Sequence, residues 1–303
     1  MLKKLGSKDL GKLWKAEENS SGEENGQVTI IGGSRLFHGA PILAVKAASR
    51  LVDMVFFSSP DSELEKISAK AALSSFIWVP WDEIEEYIKK SEAILIGSGF
   101  LRFHSEKTKY EDRFSSCDEE CQKTREVTRD LLHKFPEKKW VIDGGSLQVL
   151  DMRWIPKGAI LTPNKKEFEM LFSTSPLVPL PPHPRPLSKI LERGIQRGEV
   201  AAEMAKKHEC VIVVKGPVGY VTDGETMYEI TGGNAGLTKG GTGDVLAGVT
   251  VGLLAKNPPL IAAAAASWAV KATADKLFET VGHNFNADDV SERVFEVVKS
   301  LES

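Results

Sequence analysis

The sequence has little cysteine and no long apolar run, and each absence excludes a class of protein. Three cysteines in 303 residues are too few for a disulfide framework and are typical of a reducing cytosol. Cys117 and Cys121 lie four residues apart, but the lack of a second matched pair argues against a zinc site. The longest apolar run, which begins at Leu260, is shorter than the about 20 residues that a membrane span needs.

The sequence also lacks an excess of charge of one sign. The net charge of -3 gives no support for nucleic acid or an anionic membrane as a partner. The N-terminus contains lysines but no apolar segment of a secretory signal. With 42% hydrophobic and 27% charged residues, the chain can bury a sizeable core. We therefore expect a cytoplasmic protein whose partners are small molecules.

Short apolar runs rich in β-formers alternate with segments of helical spacing over most of the chain. Short, uninterrupted strands between helices are typical of an α/β fold whose mainly parallel central sheet is covered by helices on both faces. Near residues 220–230 two close strands around the turn 222–225 indicate a hairpin, and after Thr231 the pattern is almost wholly helical. The predicted strands are 27–31, 53–58, 76–80, 93–96, 140–142, 160–161 and 211–214.

We expect a single domain over residues 1–303, with a polar N-terminal extension of about 1–26 and two insertions. The first insertion, about 101–134, is polar and ends in a predicted helix from Glu119 to His133. The second, about 173–188, is so rich in proline that it must be an extended surface loop. We predict that this proline-rich loop is mobile and dispensable for chemistry.

Polar and glycine-rich breaks follow five of the predicted strands. In an α/β domain, ligands bind outside the carboxyl ends of the parallel strands. One such break is ordinary turn chemistry, but five in one chain favour a long ligand cleft over chance turns. The breaks are Gly32-Gly33-Ser34, Gly97-Ser98-Gly99, Asp143-Gly144-Gly145, Thr162-Pro163-Asn164 and Lys215-Gly216.

The most concentrated of the glycine-rich stretches is GGTGD, from Gly240 to Asp244. If a helix begins near Thr242, the amides before and within its first turn have no helical partners and can bind an anion, phosphate above all. Asp244 could serve only to cap that helix, or it could take a proton from a hydroxyl beside the anion site. No Lys-Ser/Thr pair follows the glycines, so the motif is not a P-loop.

The longer stretch GGNAGLTKGGTGDVLAG resembles the signature of the NAD(P)H-hydrate dehydratases, a branch of the ribokinase-like superfamily. The resemblance extends from about Gly32 to Val290. GGSRLFHGAPILAVKAASRLV is similar to the N-terminal glycine motif of that family, LTPNKKEFEMLF to its TPH..E element, and VVKGPVGYVTDG to its adenine-nucleotide strand and hairpin. The resemblance implies a ribokinase-like fold.

The resemblance also implies an activity. Such enzymes restore NADH or NADPH whose nicotinamide ring has taken up water, at the expense of ADP or ATP and with Mg²⁺. The ring hydroxyl is phosphorylated, and phosphate then leaves with help from the ring nitrogen. The products are AMP from ADP, or ADP from ATP, together with phosphate. The form TKGGTGD looks like that of prokaryotic members, which favours ADP.

The family's functional positions map onto matching positions of this chain. Asp244 would be the base that accepts the hydroxyl proton. The resemblance places an anion hole at Gly240, Gly241, Thr242 and Gly243, nucleotide contacts at Lys215, Gly216, Pro217, Val218, Gly219, Asn234 and Gly243, and substrate contacts at Ala40, Gly99, Asn164 and Asp244. The family also implies a homo-oligomer.

The chain departs from the family pattern at several positions. Asn164 stands where prokaryotic members commonly have histidine, and it cannot titrate; it could equally form a helix cap box with Glu167. Asp143 remains from an Asp-Ala-Asp pattern and could hold magnesium or act as a turn residue. Asn234 could hold ribose or adopt a left-handed turn. About 30 residues precede Gly32, too few for the epimerase domain often fused there, so epimerisation would need a separate protein.

Two other functions are consistent with parts of the pattern. A small-molecule alcohol kinase of the same superfamily, of the thiazole or pyrimidine type, would use Asp244 in the same way. The lead-in GGNAGLTKGG favours the dehydratase over such a kinase. The other is a nucleotide-binding module without catalytic activity. Such a module would not need a base such as Asp244 within the glycine-rich stretch.

Overall fold

The structure, a computed structural model, describes residues 1–68, 74–102, 117–173 and 194–299. Residues 103–116 of the first predicted insertion and 174–188 of the second lie outside the described residues. The prediction that the proline-rich segment is a mobile surface loop, dispensable for chemistry, therefore falls on residues outside these ranges. The helix predicted at the end of the first insertion is present as Glu119–Lys134.

A mainly parallel sheet forms the centre of the fold, as predicted. Its order is β1-β10-β9-β8-β7-β6-β5-β2-β3-β4. The pairs from β8 through β4 are parallel, and β8, β9 and β10 pair antiparallel, so the predicted hairpin is confirmed. The described strands are β1 Leu2–Lys4, β2 Gln27–Ile31, β3 Met54–Ser58, β4 Ile77–Trp78, β5 Ala93–Ile96, β6 Lys139–Ile142, β7 Ile160–Leu161, β8 Val211–Val214, β9 Gly219–Thr222 and β10 Met227–Ile230.

The N-terminal segment contributes to the sheet, which its polar composition did not predict. Residues of β1 pair in parallel with β10, Leu2 opposite Met227 and Lys4 opposite Glu229. The three side chains of β1 are exposed, so this strand is held by its backbone hydrogen bonds. Farther along, Leu10 and Leu13 are buried in the core. A strand without a buried face has no hydrophobic signature from which it could be predicted.

Helices cover both faces of the sheet. Short 3₁₀ turns accompany them, one of which (Trp81–Glu83) opens the helix predicted from Trp81. The described α-helices are α1 Ser7–Leu10, α2 Gly39–Ala48, α3 Glu63–Ser68, α4 Ile84–Lys90, α5 Glu119–Lys134, α6 Gly144–Val149, α7 Lys165–Ser173, α8 Gly194–His208, α9 Thr242–Lys256, α10 Pro259–Val281 and α11 Ala287–Lys299.

Alternate residues of the strands enter two separate hydrophobic clusters. In β5, Leu95 packs in the cluster that contains α2, α9, α10 and α11, whereas Ile94 and Ile96 pack in the cluster that contains α4, α5, α7 and α8. Both faces of the strand are therefore buried, as the period of two in a β-strand requires. This burial explains why the strand sequences are apolar runs and not alternating patterns.

A close crossing of α9 over α2 fixes the position of the glycine-rich helix start. A Cβ atom added to Gly248 would lie 2.3 Å from the carbonyl oxygen of Ala44. The two backbones thus touch where α9 carries no side chain. The crossing also places the start of α9 against α2 itself, since a Cβ on Gly241 would lie 2.5 Å from Leu43 Cδ1.

The two cysteines nearest in sequence are bonded to each other. Cys117 and Cys121 form a disulfide with their Cα atoms 5.2 Å apart, which corrects the expectation of reduced thiols. Asp118 caps α5 by accepting a hydrogen bond from the Cys121 amide at 3.0 Å, and this turn brings the two thiols together. The third cysteine, Cys210, is free and buried.

None of the helices within the described ranges combines the length and apolar content needed to cross a bilayer.

Replacing Gly248 by alanine tests the helix crossing. The added methyl would overlap the Ala44 backbone, so we expect the free energy of unfolding to fall by about 1–3 kcal/mol. Gly22→Ala is the control, because a Cβ there has no neighbour within 4 Å, and it should change the stability by less than about 0.5 kcal/mol. Urea unfolding followed by circular dichroism measures both, and equal stabilities would contradict the crossing.

Candidate active site

The five glycine-rich or polar breaks follow five neighbouring strands. They come directly after β2, β5, β6, β7 and β8, which lie side by side in the order β8-β7-β6-β5-β2. Because these strands are parallel, their carboxyl ends meet at one edge of the sheet. Every break noted in the sequence therefore belongs to a single surface.

The glycines in these breaks allow neighbouring turns to approach with their backbones. A Cβ on Gly97 would lie 2.1 Å from the carbonyl oxygen of Asp143, and one on Gly32 would lie 2.3 Å from that of Ser98. The Gly33 amide also donates to the Ser98 carbonyl at 2.8 Å. Gly97 has φ +109°, in the region that glycine adopts without strain. The turns after β2, β5 and β6 thus pack directly against one another.

Lys215, the first residue after β8, supplies the positive charge of a cluster of three acidic side chains. Its ammonium lies 3.2 Å from the Asp143 carboxylate, which is 5% exposed. That carboxylate also accepts from Thr162 Oγ1 at 2.5 Å and Ser98 Oγ at 3.3 Å. The carboxyls of Glu167 and Asp244 act on the same ammonium through space.

Burial raises the pKa of two of the acids in this cluster. Burial raises the pKa of Asp244 to about 7; Asp143 adds to the rise, and Lys215 and a hydrogen bond from Ser98 oppose it. Burial likewise raises the pKa of Glu167. For Lys215, burial acts to lower the pKa, but the surrounding carboxylates outweigh it and the pKa is raised. An acid with a pKa of about 7 can accept and return a proton at neutral pH.

The helix that carries Asp244 begins at Thr242, as predicted, and most amides at its start have no acceptor among the described residues. Gly241 precedes it with φ +92°, in the left-handed region. Within the described ranges no acceptor is found for the amides of Gly240, Gly241 and Gly243. The Thr242 amide makes a long contact of 3.5 Å to the Lys239 carbonyl, and its hydroxyl donates to Leu237 at 2.8 Å. Unpaired amides at a helix start bind anions.

A cavity of about 450 Å³ opens beside this helix start. Six of the seven positions expected to contact nucleotide line it, and Val218 does not. Its apolar wall contains Val213, Ile230, Leu246 and Val270, which suits a flat heterocycle better than a charged group. The six expected positions are Lys215, Gly216, Pro217, Gly219, Asn234 and Gly243. At the helix start, Thr242 and Gly243 line this cavity, and a Cβ on Gly243 would lie 3.4 Å from Lys215 Nζ.

The positions expected to contact the hydrated dinucleotide lie along the same edge. Ala40 and Gly99 are neighbours, because a Cβ on Gly99 would lie 3.1 Å from that of Ala40. Asn164 and Glu167 form the cap box that the sequence allowed: Asn164 N donates to Glu167 Oε2 at 2.8 Å and Glu167 N to Asn164 Oδ1 at 3.0 Å. Asn164 is exposed toward solvent, which leaves its side-chain amide able to donate.

Asn234 does not take the left-handed turn that was one of its two interpretations. Its φ is -143°, and its side chain accepts from the Gly236 amide to cap a 3₁₀ turn. The same side chain donates to the Ala274 carbonyl at 2.8 Å. Its left-handed neighbours are Gly232 and Gly233, with φ of +86° and +77°.

Two residues of the site were not singled out in the sequence. Ser98 contacts both Asp143 and Asp244, although only its flanking glycines drew notice. Lys271, on α10, lines the cavity but lies in an alanine-rich helix that predicts packing alone. Lys239, just before the helix start, donates to the carbonyls of His283 and Phe285 at 2.5 Å each.

Asp244 should make the protein less stable as the pH rises. The folded state holds the Asp244 proton up to about pH 7, whereas the unfolded chain loses it near pH 4. Between these values the folded state binds more protons, so its stability falls as the pH rises and is constant above about 7. We expect Asp244→Asn to be more stable than the parent by about 1–3 kcal/mol at pH 8, with a smaller difference at pH 5.

Denaturant unfolding at the two pH values measures the effect. Asp82→Asn, at an exposed position on the surface, serves as the control and should match the parent at both. If the difference in stability between Asp244→Asn and the parent is the same at pH 5 and at pH 8, the raised pKa of Asp244 is contradicted.

Comparison with known proteins places the chain in a family. The family model described as NAD(P)H-hydrate dehydratase matches residues 28–295. A bifunctional NAD(P)H-hydrate repair enzyme of Hyperthermus butylicus is 33% identical over 80% of this chain, which spans 42% of that protein's length. An ADP-dependent (S)-NAD(P)H-hydrate dehydratase of Cenarchaeum symbiosum is 27% identical, with 98% of this chain and 97% of that protein covered.

Solved structures confirm the fold. A ribokinase-like superfamily protein from Enterococcus faecalis superposes with a TM-score of 0.76 at 19% identity, covering 100% of this chain and 97% of that one. The ribokinase-like fold expected from the resemblance is therefore confirmed. The family match covers nearly the whole sequence, and the chain belongs to the NAD(P)H-hydrate dehydratase family.

Proposed function

We propose that this protein dehydrates hydrated NADH or NADPH back to the dinucleotide, with ADP or ATP as the phosphoryl donor. One observation carries the proposal: a carboxyl with a pKa of about 7 lies in the first turn of a helix whose start lines a cavity of nucleotide size and has amides without an acceptor among the described residues. A base next to an anion site is what transfer of a phosphoryl group to a hydroxyl requires. The family match supports the hydrated dinucleotide as the acceptor.

In the first step the Asp244 carboxylate accepts the proton of the hydroxyl on the hydrated ring. The freed oxygen forms a bond to the terminal phosphorus of ADP or ATP, and the bond from that phosphorus to its bridging oxygen breaks. AMP or ADP leaves with the bonding electron pair. The amides of Gly240, Gly241 and Gly243 hold the equatorial oxygens of the phosphoryl group in this step, and Lys215 lies close enough to offset their charge.

In the second step the phosphorylated ring loses phosphate. The lone pair of the ring nitrogen forms a double bond to the adjacent carbon while the carbon–oxygen bond breaks. Loss of a proton from the next ring carbon restores the dihydronicotinamide. Asn164, Gly99 and Ala40 would hold the ring during both steps, because they lie along the same sheet edge as Asp244.

The donor nucleotide and the metal belong to the proposal as well. ADP is favoured, since the Cenarchaeum symbiosum relative of matching length is ADP-dependent. Mg²⁺ would accompany the nucleotide phosphates. Within the described ranges no three acidic, cysteine or histidine side chains form a group that could hold a metal, and Asp143 is already paired with Lys215. A magnesium role for Asp143, a homo-oligomer and a separate epimerase stay predictions.

An alcohol kinase would share the first step, and family membership favours the dehydratase over it. A module that only binds nucleotide would gain nothing from an acid poised at neutral pH. The substrate that is turned over therefore distinguishes the kinase from the dehydratase. A variant without the Asp244 carboxylate distinguishes both enzymes from a module that only binds nucleotide.

Asp244→Asn should abolish the reaction while leaving the protein folded. We expect the rate to fall by about 10²–10⁴-fold, because asparagine cannot accept the hydroxyl proton. The assay incubates the protein with hydrated NADH, magnesium and either ADP or ATP, and follows the return of dihydronicotinamide absorbance. Asp82→Asn should keep the parental rate.

Each other outcome identifies an alternative. Full activity in Asp244→Asn would exclude the proposed base. If the parent protein does not restore the dihydronicotinamide absorbance but transfers a phosphoryl group to one of a panel of thiazole or pyrimidine alcohols, the protein is a kinase. Nucleotide binding with no turnover would identify a binding module.

The pH dependence of the reaction should report the ionisation of Asp244. Because the carboxylate is the active form, kcat/KM should fall as the pH drops below about 7. A hydrogen bond from Ser98 lowers the pKa of Asp244, so Ser98→Ala should move this acid limb upward by about half a pH unit to one unit.

Ser291→Ala is the matched control for this pH profile. Ser291 is also buried and donates to a carbonyl at 2.8 Å, that of Asp288, but it lies on α11, away from the catalytic acid. Its profile should superimpose on that of the parent. A limb that does not move in Ser98→Ala would contradict the contact between Ser98 and the base.

A further inference from the structure

A lysine on α10 joins the two backbone segments that form the walls of the cavity. Lys271 Nζ donates to the carbonyls of Gly216 at 3.0 Å and Pro217 at 2.5 Å, in the turn between β8 and β9. It also donates to the carbonyl of Gly232 at 3.0 Å, just after β10. An ammonium has three protons to donate, so these three carbonyls satisfy it completely.

Asp275, one turn farther along α10, accepts hydrogen bonds from amide groups in the same wall of the cavity. Asp275 Oδ2 accepts from the Gly233 amide at 2.8 Å, and Asp275 Oδ1 accepts from Asn234 Nδ2 at 3.4 Å. Residues four apart lie on the same face of a helix. The face of α10 toward the cavity thus carries a donor for the carbonyls and an acceptor for the amides of one glycine segment.

The stem of Lys271 also packs inside this wall. A Cβ on Gly233 would lie 3.0 Å from Lys271 Cγ, and one on Gly219 would lie 3.7 Å from its Cε. The side chain is half-buried and is part of the cavity lining. Gly232 and Gly233 both have positive φ, so the segment has no regular secondary structure of its own to keep its place. Without the ammonium, three carbonyls would face one another across the gap that it fills.

We infer that Lys271 is a positioning residue that sets the width of the nucleotide cavity before the nucleotide binds. The inference rests on the proposed function, in that this cavity is taken to be the nucleoside site. Preorganisation of a binding site acts on affinity, because the bound conformation is already formed and no ordering cost falls on binding. Lys271 contacts neither Asp244 nor the helix start among the described residues, so it acts on nucleotide binding and not on the phosphoryl transfer itself.

Lys271→Met tests the inference, since methionine keeps the stem and removes all three hydrogen bonds. We expect at least a tenfold weaker affinity for ADP and ATP by titration calorimetry. In the absorbance assay, KM for the nucleotide should rise by a similar factor while kcat stays within about threefold. Lys271→Arg, which keeps a charged donor, should recover most of the affinity.

Lys276→Met is the matched control, because Lys276 lies on the same helix with its side chain exposed. It should bind nucleotide as the parent does. If Lys271→Met fails to fold in a thermal melt, Lys271→Gln, which keeps neutral donors, takes its place and should bind more weakly than the parent. Parental affinity in a folded Lys271→Met or Lys271→Gln overturns the inference, as does a fall in kcat without a rise in KM.

The outcome for the parent protein separates the two proposals. If the parent binds ADP or ATP and the Lys271 variants bind it equally well, only the positioning role fails. If the parent binds neither nucleotide, the proposed function fails and the inference fails with it.

Discussion

The site depends on one ammonium placed among three acids. Without Lys215, the carboxyls of Asp143, Glu167 and Asp244 would repel one another in a largely buried space. With it, Asp143 is held as an ion pair at 3.2 Å, and Asp244 retains a pKa of about 7. The lysine therefore offsets the repulsion among the acids and limits the rise in the pKa of Asp244.

The parallel sheet is what brings these groups together. Lys215 follows β8, Thr162 follows β7, Asp143 follows β6 and Ser98 follows β5, and these strands are neighbours in the sheet. Residues separated by over a hundred positions in sequence meet because each is the first or second residue beyond a strand whose end lies at the same edge. The helix start at Thr242 closes the arrangement, and the contact of Gly248 with α2 fixes its position.

The sequence alone was enough to predict the sheet, the hairpin, the helix start and the edge at which the site lies, because apolar runs and glycine breaks carry those features directly. It did not predict β1, whose exposed side chains leave no periodic pattern, or the disulfide, which depends on a helix cap. Ser98 and Lys271 were also missed. Their importance lies in which backbone and side chains they contact, and no local pattern records a contact between residues distant in the chain.

The same physical features that make the site reactive make it costly to fold. An acid is kept partly neutral by burial, and the amides of Gly240, Gly241 and Gly243 have no acceptor in the described part of the chain. The glycine segment after β10 is held by side chains of α10. Each of these would be relieved by an anion or a heterocycle in the cavity, since phosphate oxygens would pair the amides and a base would cover the apolar wall. Nucleotide binding should therefore stabilise this edge of the sheet more than any other part of the fold.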